Sequence, residues 1–120
     1  METFKDEMFE TVIANEKVSV IQFSAAWCGP CKQLLPIMKN LSSQYKDRAK
    51  FFYGDIETDA INLGSQCGVR GVPTVIVFKG KTEVDRLVGG VNESKMREFL
   101  DKNVWGNYFK KLVSFKDGSN

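Results

Sequence analysis

The segment VSVIQFSAAWCGPCKQLLPIM, residues 18 to 38, decides the fold of this 120-residue chain. Its first half, 18–26, mixes β-branched, aromatic and small residues without a charge, which is typical of a strand covered on both faces. Beyond WCGPC, apolar or small residues recur at the spacing of one helical face. The segment therefore predicts a central buried strand that turns into an amphipathic helix, with two cysteines at the junction.

These two cysteines fall where the predicted helix begins. Proline is favoured in the first turn of a helix, so Gly29-Pro30 puts Cys28 at or near its N-terminus. Unpaired N–H groups and the helix dipole favour an anion there, and can lower a cysteine pKa from about 8.5 into roughly the 3.5–7.5 range. Cys28 is therefore the candidate nucleophile for thiol–disulfide exchange. Cys31, one turn further on and facing inward, is the candidate resolving thiol.

The structural alternatives for such a Cys-x-x-Cys pair are half of a zinc site and a pair of packed cysteines. Structural zinc needs four ligands, usually cysteine or histidine, and this chain has three cysteines and no histidine. We therefore expect redox chemistry, with no metal site and no bound cofactor.

The rest of the chain alternates helices and strands. Patterning predicts a short amphipathic helix from Phe4 to about Asn15, and Asn92 is expected to cap the last helix. Further strands are predicted at 50–56, 74–79 and 82–88, a hairpin joining the last two, and a further helix at 60–66. This order predicts an α/β fold with a central mixed β-sheet flanked by helices.

With WCGPCK (27–32) and GVRGVPT (68–74) both in place, the chain resembles the thioredoxin family over roughly Phe4 to Lys102. The resemblance implies a thioredoxin fold with helices on both faces of the sheet, in a domain spanning 1–102. It also implies a protein-disulfide reductase that acts on disulfide-containing target proteins. A thioredoxin reductase-type electron donor would then return the oxidised pair to the dithiol.

A docking surface for target proteins also follows from the resemblance. In the family the proline of the VPT loop, here Pro73, follows a cis peptide bond and packs against the cysteines. The backbone just before it, here Val72, pairs with the substrate chain like an added strand. For Trp27, core packing is the alternative to a place on this surface. The residues expected to form the surface are Trp27, Gly29, Pro30, Gly71, Val72, Pro73, Gly89 and Gly90.

Three positions depart from the family pattern. Gln22 replaces a buried aspartate, and Tyr53 stands where a nearby lysine is usual. The aspartate is thought to take the proton of the resolving cysteine, so we expect slower release of the mixed disulfide and higher stability, both tested by Gln22→Asp. Proton transfer through water is the alternative. Ser24 stands where a tryptophan is frequent in the family. Fewer aromatic side chains are therefore expected to cover the site, which bears on the range of partners.

Cys67 is the third thiol, directly before the GVRGVPT loop. One interpretation is a half-buried small apolar residue. The other is a regulatory thiol, open to oxidation or intermolecular pairing, because that loop is expected beside the active site.

Length, composition and charge limit the possible classes of protein further. A 120-residue chain with 42% hydrophobic residues supports one domain, and a net charge of +2 indicates no dedicated nucleic-acid binder. We see no membrane-spanning stretch and no cationic leader followed by an apolar run, and we therefore expect a cytoplasmic protein.

The C-terminal extension, 103–120, lies outside the resemblance. Trp105, Tyr108 and Phe109 would fall on a second helical face, opposite the one that packs on the domain. They either pack on their own domain or contact a partner, a second copy or a membrane surface.

Two other functions stay open: a disulfide-forming or isomerising enzyme, and a binding module with incidental redox activity. Gly29-Pro30 between the cysteines resembles the reducing members instead.

Overall fold

A computed structural model describes residues 1–104 of the chain. Five strands form one sheet in the order β1-β3-β2-β4-β5. The strands are β1 (Glu2–Thr3), β2 (Ser19–Ser24), β3 (Lys50–Asp55), β4 (Thr74–Lys79) and β5 (Thr82–Val88). The α-helices are α1 (Met8–Thr11), α2 (Gly29–Gln44), α3 (Ile61–Gln66) and α4 (Glu93–Val104), and a 3-10 turn covers Ile13–Asn15. Trp105, Tyr108 and Phe109 lie outside the described residues.

The central position predicted for the 18–26 strand is confirmed. Strand β2 pairs in parallel with β3 on one side and antiparallel with β4 on the other, so the sheet is mixed. All six of its residues are buried, including the polar Ser19, Gln22 and Ser24. A strand covered on both faces needs no polar alternation, which is why its sequence reads as a continuous uncharged run.

Helices cover both faces of the sheet, as the resemblance implies. Helices α2 and α4 bury their apolar stripes against one face, in a core that contains Val20, Leu34, Met38, Val75 and Leu100. On the other face α3 and the N-terminal segment cover a second core, which contains Phe4, Ile13, Phe23, Phe52 and Leu63. Alternate β2 residues serve the two cores, since successive side chains of a strand point to opposite faces.

The N-terminus differs from the predicted amphipathic helix. Residues 2–3 form β1, an edge strand parallel to β3, and the helical part splits into α1 and the 3-10 turn. Phe4 is fully buried, packs edge-on against Phe52, and donates its backbone N–H to the Tyr53 carbonyl at 2.8 Å. Anchoring Phe4 in the core holds the two preceding residues against β3. Two exposed residues carry no pattern that could have revealed a strand.

The later elements follow their predicted bounds closely. Strands β4 and β5 form the expected antiparallel hairpin, with a register shift between Val77 and Phe78 that the sequence did not indicate. The Asn92 side-chain oxygen accepts a hydrogen bond from the Lys95 N–H at 2.8 Å, so its predicted capping of α4 is confirmed. Within residues 1–104, no helix combines the length and apolar character needed to cross a membrane.

Candidate active site

The two cysteines lie at the start of α2, after the short segment that connects it to β2. Cys28 is the N-cap of α2, with Pro30 in the first turn, and Cys31 is on the buried face of the helix. The pair is joined by a disulfide with a Cα–Cα distance of 5.3 Å. The Cys28 sulfur also accepts a hydrogen bond from the Cys31 N–H at 3.1 Å. The predicted placement of Cys28 at the start of the helix and of Cys31 on its inward face is confirmed.

Exposure separates the two cysteines. Cys28 is 3% exposed, and Cys31 is fully buried. Both pack with Ala25 in a small apolar cluster, against which Ile56 and Val72 are also packed. The small part of the pair that is exposed to solvent therefore belongs to Cys28.

The VPT loop borders this cluster through Val72, and the Val72–Pro73 peptide bond is cis, as expected. The Pro73 carbonyl accepts a hydrogen bond from the Gly89 N–H at 2.8 Å, which ties this loop to the end of β5. Gly89 has φ +101°, and a Cβ placed on Gly90 would lie 3.2 Å from the Pro30 Cβ. The structure thus brings together four segments that are far apart in sequence: 28–31, 56, 72–73 and 89–90.

Trp27 lies at the rim of the site. It is 68% exposed, which excludes the core-packing alternative. Its indole N–H donates a hydrogen bond to a carboxylate oxygen of Glu57 at 2.9 Å. The Glu57 backbone N–H in turn donates to the Asp55 carboxylate at 2.8 Å. Sequence reasoning did not single out Glu57, because an acidic residue in a polar loop gives no signal of a contact 30 positions away.

The side chain of Gln22 contacts the backbone of Cys31. Its side-chain nitrogen donates hydrogen bonds to the Cys31 carbonyl at 3.2 Å and to the Ser24 hydroxyl at 3.0 Å. Its side-chain oxygen is buried and has no hydrogen-bond partner among the described residues. Tyr53 pairs with Gln22 in register on β3, so the two side chains leave the sheet on the same face. A neutral amide thus occupies the position that the resemblance assigns to a carboxylate.

Cys67 is placed apart from the disulfide pair. It is the half-buried C-cap of α3 and packs against the core that α3 covers. Burial, with a smaller contribution from Glu83, raises the pKa of its thiol, and Arg86 partly offsets this. Arg86 also donates a hydrogen bond to the Cys67 carbonyl at 2.7 Å. This setting matches the small-apolar interpretation of Cys67, and its regulatory role stays a prediction.

Metal-ligand side chains do not gather elsewhere in the described part of the chain. Within residues 1–104, no group of three or more cysteine or acidic residues could hold a metal ion.

Comparison with known proteins supplies the family. The thioredoxin family model matches residues 1–102. This chain belongs to the thioredoxin family. It is 36% identical over 101 residues to a thioredoxin of Acidithiobacillus ferridurans, a match covering 82% of this chain and 92% of that protein. It is 33% identical over 100 residues to thioredoxin 2 of Chlorobaculum tepidum, covering 82% of this chain and 91% of that one.

The fold comparison agrees with the family assignment. A structure of Plasmodium falciparum thioredoxin superposes with a TM-score of 0.76 at 26% identity, covering 84% of this chain and 96% of that one. Family membership and the Cys28–Cys31 pair at the start of α2 together make this chain a thiol–disulfide oxidoreductase.

Proposed function

We propose that the chain reduces disulfides in target proteins, with Cys28 as the nucleophile and Cys31 as the resolving thiol. The observation that carries this assignment is the position of the Cys28 sulfur at the N-cap of α2, within 3.1 Å of the Cys31 N–H. A hydrogen-bond donor and the positive end of the helix dipole both favour the thiolate. Cys31, fully buried, is suited to a later intramolecular step.

The cycle runs through two exchanges. The Cys28 thiolate attacks one sulfur of the target disulfide, forming a mixed disulfide and releasing the other target sulfur as a thiolate, which takes up a proton. Cys31 then loses its proton and attacks the Cys28 sulfur. The Cys28–Cys31 bond forms, the bond to the target breaks, and the second target sulfur leaves as a thiol. Two electrons pass from the dithiol to the target.

Regeneration needs an external donor of two electrons. We propose a thioredoxin reductase-type protein for this role, with the cytoplasm as the compartment, since a reducing compartment keeps a Cys-x-x-Cys pair available as the dithiol. Recovery of the dithiol in a reconstituted assay with such a reductase and its reduced nicotinamide cofactor tests the donor. Cell fractionation tests the compartment.

Target proteins would dock on the surface formed by the four segments around the disulfide. The exposed indole of Trp27, held by Glu57, would cover one side of an incoming chain. The Cβ position of Gly89 faces open space, which leaves room for its backbone, whereas Gly90 lets the loop approach Pro30 closely. The backbone of Val72 is proposed to pair with the incoming chain as an added strand. Main-chain hydrogen bonds depend little on the amino-acid sequence of the target, so a surface that pairs in this way can accept many target proteins.

A second contact surface is proposed for the C-terminal extension. Trp105, Tyr108 and Phe109 lie outside the described residues, and their sequence pattern alone supports a contact with a second copy or a partner. The oligomeric state of the full chain, compared with a chain that ends at Val104, tests this contact.

Reduction of insulin disulfides by dithiothreitol tests the proposed function. The wild-type chain is expected to accelerate the reduction strongly, and Cys28→Ser is expected to abolish the acceleration. Cys67→Ser is the matched control, because it removes a thiol that packs away from the disulfide cluster, and it should leave the rate unchanged. Acceleration that survives in Cys28→Ser would contradict the assignment.

A further inference from the structure

The side-chain amide of Gln22 has two ends in different surroundings. Its nitrogen donates to the Cys31 carbonyl and to the Ser24 hydroxyl. Its oxygen, in a fully buried side chain, has no hydrogen-bond partner among the described residues. A carbonyl oxygen can only accept hydrogen bonds, so the Cys31 carbonyl requires the nitrogen end of the amide. The amide therefore cannot turn over to give its oxygen a donor without losing this bond.

A buried acceptor without a donor costs free energy, and such a group in a native protein calls for an explanation. The chemistry of the neighbouring cysteine supplies one. In the disulfide the Cys31 sulfur carries no proton, whereas in the dithiol it carries an S–H, which is a weak hydrogen-bond donor. Cys31 is also fully buried, so its thiol has no bulk water to bond. Reduction thus creates a buried donor on the residue whose carbonyl already holds the Gln22 amide.

We propose that the side-chain oxygen of Gln22 accepts the hydrogen bond of the Cys31 thiol when the pair is reduced. Gln22 is then a positioning residue that stabilises the dithiol selectively. The inference rests on the proposed Cys28–Cys31 cycle and deepens it, because it assigns to a neutral amide a role in setting the redox equilibrium.

The selectivity follows from what each bond does in the two redox states. When two glutathione thiols reduce the pair, they give up two electrons and two protons and become glutathione disulfide. The Cys28–Cys31 bond becomes two thiols, and one proton goes to the Cys31 sulfur. The bonds from the Gln22 nitrogen need no proton on that sulfur and are available in both states. Only the bond to the Gln22 oxygen requires the dithiol, so it shifts the equilibrium towards the reduced form.

The redox equilibrium of the full chain in glutathione buffers at pH 7 tests the proposal. Gln22→Met keeps about the length of the side chain and removes the acceptor, together with the nitrogen whose bonds are available in both redox states. It should shift the equilibrium about two- to fivefold towards the disulfide, the range of a weak hydrogen bond. Ser24→Ala is the matched control, because Ser24 bonds the nitrogen of the same amide and not its oxygen. It should leave the equilibrium unchanged. An unshifted Gln22→Met variant, or an equal shift in Ser24→Ala, would overturn the proposal.

A second measurement avoids changing Gln22. In a chain carrying Cys28→Ser and Cys67→Ser, Cys31 is the remaining thiol. Its infrared S–H stretching band should lie below that of the same chain with Gln22→Met added, or of an unbonded thiol if that variant does not fold. A band at the free-thiol position would also overturn the proposal. Neither measurement requires a target protein, so failure here is distinguishable from failure of the proposed reductase activity in the insulin assay.

Discussion

The hydroxyl of Tyr45 donates a hydrogen bond to the Asp101 carboxylate and joins the end of α2 to α4. Burial, and then the bond to Asp101, raises the pKa of Tyr45 to about 12 from its ordinary value of 10.0. The folded state therefore holds this proton more tightly than the unfolded chain. The contribution to stability is fully present below pH 10 and is lost as the pH rises through the folded pKa.

Tyr45→Phe should lower the free energy of unfolding by about 1–2 kcal/mol at pH 7, because it removes a partly buried hydrogen bond to a charged group. The difference between wild type and variant should shrink between pH 10 and 12. Urea unfolding at several pH values measures this. Subtracting the variant cancels the titration of the other tyrosines and the lysines. A difference that stays constant up to pH 12 would contradict the assigned pKa.

Gly89, in the loop that follows β5, has a backbone conformation that favours glycine. Its φ of +101° lies where residues with a Cβ are strained, so Gly89→Ala should cost about 1–3 kcal/mol. Gly71→Ala, on the facing loop, is the control: no atom lies within 4 Å of its Cβ position and its φ is not in the strained range. Denaturation midpoints of the two variants should differ clearly. Equal midpoints would mean that the conformation at Gly89 is not required.

At the scale of whole elements, α3 depends on a residue far from it in sequence. Its N-cap, Ala60, has no capping side chain. The carboxylate of Asp6 instead accepts the N–H groups of Asn62 and Leu63, both at 2.9 Å. A negative charge at this end also complements the helix dipole. The side chain of Asp6, from the N-terminal segment, thus caps α3 in place of a local residue.

Asp6→Ala should therefore destabilise the protein by about 1–2 kcal/mol, the usual range for a lost helix cap. Hydrogen exchange should locate the effect in the first turn of α3. The exposed neighbour Glu7, which makes no side-chain capping bond, supplies the control Glu7→Ala, with little expected change. Unchanged exchange in α3 of the Asp6 variant would show that water caps the helix equally well.

Local patterns predicted the elements on which the chemistry depends. The uncharged run before WCGPC, the proline after Cys28 and the asparagine before α4 each act within a few residues, so the sequence alone could place β2, α2 and the α4 cap. Strand β1, the cap by Asp6 and the contact of Glu57 with Trp27 all join distant segments. Nothing nearby in the sequence marks such contacts, because they depend on how the elements pack.

The same distinction applies to the candidate site. The positions of Cys28 and Cys31 followed from helix-start signals, and that of Gln22 from the resemblance. The side-chain oxygen of Gln22 has no hydrogen-bond partner within residues 1–104, and this did not follow from the sequence, because which end of the amide is satisfied depends on a carbonyl nine residues away. The sequence could name this residue but not the state of its two polar atoms.

At the scale of the molecule, α4 closes the larger core beyond the end of the family match at 102. Asn103 donates a hydrogen bond to the Asp85 carboxylate on β5 at 2.9 Å, and Val104 is buried in the core. A chain that ends at Val104 should therefore keep both of these contacts. One that ends at Lys102 should lose about 2 kcal/mol, the scale of a buried valine. Thermal unfolding of both chains checks this, and equal stability would contradict it.

The most direct test of the proposed cycle is to trap its mixed disulfide. Cys31→Ser should leave Cys28 able to attack insulin but unable to release it, so mass spectrometry after proteolysis should find an insulin peptide joined to Cys28. The same variant with Cys28→Ser added should trap nothing. Insulin joined through Cys67, or no adduct while Cys28 is free and reduced, would contradict the order of attack on which the proposed cycle depends.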